Sequence, residues 1–183
     1  MKTQLSRILF TLLLPVFLFA QDVPFPKKLD VTGFKEVLAE SGNLLISGQP
    51  DSAAFVKLKN DGVTTVINLR TAQEMENRNY VPFNEKEVLE KLNLNYVHIP
   101  LGGSDNPYTP EALETFAGSL AHANGKVLLH CTVAWRASHM FAAYLIKYKG
   151  FSSSKAIEYA KAINFGDLPV EGLLNKKMTI DFK

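Results

Sequence analysis

The sequence predicts an α/β fold with a small, mainly parallel central sheet flanked by helices. Short apolar runs of strand character alternate with amphipathic segments of helical period. Strands separated by helices pair in parallel through crossover connections. No repeat or low-complexity linker interrupts the pattern, and the 163 residues left after a 20-residue leader suit one domain, residues 21–183, with a sizeable core.

Residues 1–20 read as a signal peptide. Lys2 and Arg7 precede the apolar run Ile8 to Ala20, which is too short for a comfortable membrane span and is interrupted by Pro15. Leu18 and Ala20 supply the −3 and −1 positions of a cut before Gln21, and no cysteine follows that would carry a lipid anchor. The expectation is a periplasmic or secreted protein with no membrane span once the leader is removed.

The elements then follow in order. Gln21 to Lys28 is a proline-containing lead-in. Leu44 to Ser47 reads as a strand, Asp51 to Asn60 as a helix closed by Gly62, and Val63 to Leu69 as a strand. Asn84 caps a helix to Lys91. Asn95 to Pro100 is a strand, and Thr109-Pro110-Glu111 opens a helix with a cap, an N1 proline and a first-turn acid. That helix runs to about Ala123, where Asn124-Gly125 turns into a strand from Val127 to His130. Helices follow from Arg136 to Tyr148 and from Ser153 to Ile163, separated by Gly150. Met140, Phe141, Tyr144 and Leu145 recur at helical spacing and read as core.

Charge narrows the partners. Of 20 basic and 18 acidic residues, the leader holds two basic residues and no acid, so the rest of the chain is formally neutral. Without a basic stripe the footprint of a nucleic-acid binder is missing. His98, His122 and His139 show no convincing ligand pattern, so no metal site is expected.

The chemistry concentrates at the single cysteine. Cys131 stands between the strand ending at His130 and the helix opening near Arg136, where amide N–H groups converge and the helix dipole is positive. Such a position stabilises a thiolate and attracts an oxyanion. Arg136, five residues on, has a planar fork suited to bidentate binding of phosphate-like oxygens. A lone cysteine after an apolar strand is often a small buried hydrophobe; the neighbouring His130 and Arg136 argue for a site instead.

His130-Cys131-x4-Arg136 resembles the phosphate-binding loop of the cysteine-dependent protein phosphatases, and in particular the beta-lactamase-hydrolase-like protein phosphatase family. The resemblance extends to Ser47-Gly48-Gln49-Pro50, to Asn68-Leu69-Arg70 and to Tyr96-Val97-His98-Ile99-Pro100, covering about residues 40 to 165. It implies a protein-tyrosine-phosphatase-like fold and hydrolysis of phosphomonoesters without a metal or organic cofactor. Cys131 would be the nucleophile, Thr132, Val133, Ala134, Trp135 and Arg136 would bind the phosphoryl oxygens, and His130 would orient the loop through a hydrogen bond. Two positions depart from the family pattern. Ala134 stands where glycine is usual, and Ala137 where serine or threonine is common.

Ester cleavage also needs a proton for the departing oxygen. Asp105, in the polar loop Gly102 to Tyr108, is the candidate acid, and the resemblance implies an acid-bearing loop in this region; Asp-Asn-Pro is equally good turn chemistry. Asp51 is the alternate acid, although after Gln49-Pro50 it more naturally caps a helix. Trp135 either walls the pocket or packs under the helix, and Arg70 could pair with an acid to brace the rim. The expected partner is a phosphorylated protein or a phosphorylated small molecule. A rhodanese-like sulfurtransferase, which uses a Cys-x4-Arg loop of the same length, and a catalytically silent phospholigand-binding module are the other readings.

Overall fold

A computed structural model of the chain describes residues 22–167 and 169–178; the leader expected at residues 1–20 lies outside them. Six strands, β1 (Lys27–Lys28), β2 (Leu38–Ser41), β3 (Leu44–Ser47), β4 (Val63–Asn68), β5 (Asn95–His98) and β6 (Lys126–His130), form one sheet in the order β1-β2-β3-β6-β4-β5. The pairs β3·β6, β6·β4 and β4·β5 are parallel, as expected. The antiparallel edge formed by β1, β2 and β3 was not expected. It places a strand at the end of the lead-in, and Gly42 at positive φ opens the two-residue loop that turns β2 into β3.

Seven helices are described: α1 (Ser52–Asn60), α2 (Ala72–Glu76), α3 (Glu85–Lys91), α4 (Pro110–His122), α5 (Trp135–Lys149), α6 (Ser153–Lys161) and α7 (Pro169–Leu174). Alternation along the central strands divides the core between the two faces of the sheet. Leu44, Ile46, Ile67, Val127 and Leu129 join Phe116 of α4 and Met140 and Phe141 of α5. Leu45, Val66 and Leu128 join Phe55 and Leu58 of α1 and Leu89 of α3 on the other face. Burying each such side chain contributes about 1.5–3 kcal/mol.

The expected caps are present. Asp51 accepts the Ala54 N–H at 2.7 Å and opens α1, Asn84 opens α3, and Thr109 with Pro110 opens α4. The alternate acid Asp51 is therefore a helix cap. Helix α5 differs: its N-cap is Ala134, at φ 65° and ψ 1°, and no side chain caps it. Its first amides are left for something else.

Register brings the motifs together. Ser47 pairs with His130, His130 with Asn68, and Asn68 with His98, so four parallel strands end on one row. Everything after that row, including Gly48, Leu69 and Cys131, emerges at the carboxyl edge, where sheets of this kind bind ligands.

Gly48 is fixed by close approach. A Cβ there would run into the carbonyl oxygen of Lys35 and lie 3.1 Å from that of Thr132, because the Lys35 and Thr132 segments close on it from both sides. Gly48→Ala should lower unfolding stability by at least about 3 kcal/mol. Gly62→Ala, at φ 90° but in open space, should cost only about 1 kcal/mol. Denaturant titration of the two variants checks the contrast, and equal losses would contradict it.

Candidate active site

The cysteine loop is held by its carbonyls. Gln49 N–H donates to Thr132 O at 3.0 Å, Asn164 Nδ2 to Val133 O at 2.6 Å, and Leu69 N–H to His130 O at 2.9 Å. The Cys131 N–H is itself anchored on Ser47 O at 3.3 Å. With the carbonyls engaged outward, the amides of Thr132, Val133, Trp135 and Arg136 donate to no other group among the described residues. They head a 15-residue helix with no side-chain cap, which is an anion cradle by construction.

A cavity of about 580 Å³ opens over this cradle, lined by Cys131, Thr132, Val133, Trp135 and Arg136 together with Glu74, Gly102, Gly103 and Tyr108. The expected binding residue Ala134 does not line it; it is fully buried. Its left-handed φ costs an alanine about 1–2 kcal/mol, and burial of its methyl in the core offsets about 0.8 kcal/mol of that. The loop thus keeps, with alanine, the backbone shape that glycine would give.

Arg136 meets a carboxylate, Glu74, that no local sequence signal assigns to it. Its Nη1 and Nη2 donate to Glu74 Oε2 and Oε1, each at 2.7 Å. Nη1 also reaches Leu101 O at 2.7 Å, and Nη2 reaches Thr132 Oγ1 at 2.9 Å. The Thr132 hydroxyl donates to Glu74 Oε1 at 2.9 Å. The fork is therefore aligned by Glu74, and the guanidinium Nε takes no part in these bonds. Burial pushes the Glu74 carboxyl up, but the Arg136 hydrogen bond, the Thr71 N–H, the Arg136 charge and the Thr132 hydroxyl outweigh it and hold it at about 2. Thr71 and Glu74 form the capping box of α2, so Thr-x-x-Glu was a legible helix start. Its second use on Arg136 was not.

A second carboxylate organises the layer beneath. Glu85, at the first position of α3 and 2% exposed, accepts from Gln49 Nε2 at 2.8 Å and Asn68 Nδ2 at 2.8 Å, and its Oε1 lies 3.0 Å from His130 Nε2. Burial alone would raise its pKa. The charge and hydrogen bond of His130, with the bonds from Gln49 and Asn68, hold it below the ordinary range instead. This corrects the expected role of His130. Its Nε2 faces Glu85 and its Nδ1 has no partner, so it bonds the helix beneath the loop and not the loop itself. Arg70 does brace the rim, with Nη1 on Gln49 Oε1 at 2.7 Å and Nε 3.5 Å from Glu74 Oε1.

Asp105 lies outside the lining. It is exposed and accepts from Ser104 Oγ at 3.2 Å. Its loop closes through the Gly102 N–H on Asn106 O at 2.7 Å, and the two positive-φ glycines of that loop, Gly102 and Gly103, form part of the cavity wall. Trp135 fills both roles open to it. It lines the cavity and packs edge-on against His139, ring centroids 5.1 Å apart. The buried His139 ring also lies 4.1 Å from Phe165, and burial drives its pKa down to about 3, a backbone interaction with Gly166 opposing the shift. Among the described residues no group of three or more His, Cys, Asp or Glu side chains could hold a metal ion.

Four parallel strands with a cysteine loop at their carboxyl edge and helices on both faces make a protein-tyrosine-phosphatase-like fold. A family model described as "DSP-PTPase phosphatase fused to NAD+ Kinase" matches residues 28–173, and the chain belongs to this family. It is 32% identical over 101 residues to a beta-lactamase hydrolase-like protein of Xylella fastidiosa, a match over 54% of this chain and 22% of that relative. The chain thus matches about a fifth of the length of that relative. Among solved structures, a DUF442 phosphatase candidate from Shewanella putrefaciens superposes with a TM-score of 0.62 at 26% identity, covering 79% of this chain and 92% of the other. TpbA of P. aeruginosa, solved as a cysteine-to-serine variant in complex with phosphotyrosine, shares the fold with a TM-score of 0.56 at 19% identity, covering 75% and 77%.

The Glu74 contacts generate a pH prediction. A carboxylate whose folded pKa is lowered contributes stability that is fully present above its unfolded value, near 4.5, and lost as pH falls through the folded value, about 2. Glu74→Gln should therefore be less stable than the parent at pH 7, and the gap should close between pH 4.5 and 2. Thermal melts of both proteins across that range check this; a gap that does not change with pH would contradict the ion pair. At pH 7 the variant should also bind vanadate about tenfold more weakly, because the Arg136 fork loses its alignment.

Proposed function

We propose that the protein is an exported, cysteine-dependent phosphatase that hydrolyses phosphomonoesters through a cysteinyl-phosphate intermediate. The observation that carries the reading is the uncapped N-terminus of α5, with Cys131, 1% exposed, and Arg136 both lining the cavity over it. A tetrahedral dianion fits that arrangement, since the amides and the arginine supply donors only.

In this mechanism the Cys131 thiolate attacks phosphorus, forming a P–S bond as the ester P–O bond breaks. Asp105, carried over the cavity by its loop when an ester binds, gives its proton to the departing oxygen. The resulting carboxylate then takes a proton from the water that attacks phosphorus, the P–S bond breaks, and inorganic phosphate and the thiolate are released. The residues use no metal or organic cofactor in this sequence. Phosphotyrosine or another phosphoprotein is the favoured substrate; support comes from the phosphotyrosine complex of the P. aeruginosa fold neighbour and from a loop, Thr132 to Trp135, that has no lysine for polyphosphorylated ligands. The Lys2, Arg7 and Ile8 to Ala20 pattern supports export to the periplasm or beyond.

Cys131→Ser should reduce turnover of an aryl phosphate more than about 10³-fold while leaving the fold and vanadate-free anion binding in place. Steady-state kinetics and circular dichroism check both halves. Turnover at the parent rate would assign the chemistry to another group.

Asp105 is tested through the leaving group. Asp105→Asn should slow hydrolysis of tyrosyl and alkyl phosphates by about 10²- to 10⁴-fold and matter far less for a nitrophenyl ester, which departs readily as the anion. Equal slowing of good and poor leaving groups would make Asp105 a loop residue only.

A further inference from the structure

We propose that a second cavity beside the cysteine pocket is an anion subsite, which favours phosphomonoesters carrying a further carboxylate or phosphate group. The inference rests on the phosphatase reading and names the kind of substrate that site would prefer. The cavity has a volume of about 360 Å³, and Gln73, Glu74 and Thr132 line both it and the cysteine pocket. A ligand whose phosphate sits at Cys131 can therefore extend into it across a shared wall.

Arg70 and Lys35 give the cavity its character. Arg70 is 3% exposed, yet its fork is largely unused. Nη1 donates to Gln49 Oε1, and Nε is buried without a hydrogen-bond partner. The carboxylate that Nε faces, Glu74, stands 3.5 Å away and has both oxygens engaged by Arg136 at 2.7 Å. Buried donors are nearly always satisfied, and a buried guanidinium with spare donors at a cavity wall is built to meet an acceptor.

Lys35 supplies an independent observation. Its backbone N–H donates to Gln49 O at 3.0 Å, which fixes the residue at the rim, while its exposed ammonium lies within ion-pair distance of no carboxylate among the described residues. Glu74 is the acid in the lining, and Arg136 takes up its charge. Glu85 is screened behind Gln49, whose amide it binds at 2.8 Å. Two cations with free donors, beside the side chain of Gln73, match an anion that only accepts hydrogen bonds. Carboxylate and phosphate share that chemistry.

The test is equilibrium binding to full-length Cys131→Ser protein, which needs no turnover. Two ligand pairs separate the sources of the second charge: a phosphotyrosyl hexapeptide with glutamate flanks against one with glutamine flanks, and an alkanediol bisphosphate against the alkyl monophosphate. In at least one pair the doubly anionic ligand should bind about tenfold more tightly, and the preferred pair identifies an acidic peptide or a small bisphosphate. Adding Lys35→Glu should abolish the preference, and rising salt should shrink it. No preference in either pair, or one that survives Lys35→Glu, overturns the subsite. Wild-type hydrolysis of the alkyl monophosphate and the glutamine-flanked peptide is measured in parallel. Failure there counts against the phosphatase reading and leaves the binding ratio readable.

Discussion

A buried carboxylate holds the site together. Glu85 would be costly in the interior if its oxygens were left empty. Gln49, Asn68 and His130 fill them, and these come from the ends of three different strands. The cost of burial therefore becomes a constraint. Each of these strand ends must reach the same two oxygens, which locks Ser47, His130 and Asn68 in register and fixes where the chain turns into the cysteine loop. Gly48 completes the constraint from above, since only a residue without a side chain fits between the Lys35 and Thr132 segments.

Glu74 does for charge what Glu85 does for shape. It holds the Arg136 fork in one plane through two 2.7 Å bonds and ties Thr132 of the loop to the same carboxylate. An unaligned arginine would sample many rotamers and lose entropy on meeting an anion; an aligned one has lost it during folding. The uncapped start of α5 adds fixed amide dipoles, so the cradle is organised before any ligand arrives. Ala134 accepts a left-handed backbone for the same reason, its strain partly offset by burial of its methyl group.

The sequence made the parallel core of the fold legible because its signals are local. Asp51, Asn84 and Thr109-Pro110 cap the helices they were expected to cap, and the strands at Leu44 and Val127 show as short apolar runs. The first strand escaped notice because it is two exposed lysines with no hydrophobic face, and α2 because none of its five residues is buried. At the site, Cys131, Arg136 and the Trp135 wall were readable from their place between strand and helix. Glu74 and Glu85 were not. Both are acids in the first turn of a helix, where the dipole favours them for ordinary reasons; Arg136 lies 62 residues along the chain from Glu74, and His130 lies 45 from Glu85. The His130 contact with Glu85 is hidden on the same account, since nothing local says that its ring points down to that carboxylate.

The proposed chemistry requires the Cys131 sulfur to form a bond to phosphorus within this cradle. Acid quenching of wild-type protein during turnover of an aryl phosphate, followed by mass analysis of its peptides, tests it most directly. A phosphoryl group is expected on the peptide that carries Cys131, and none on the corresponding peptide of the Cys131→Ser protein. Turnover with that peptide unmodified at every quench time and a phosphoryl group on another residue, or a sulfane adduct on Cys131 in its place, would contradict it.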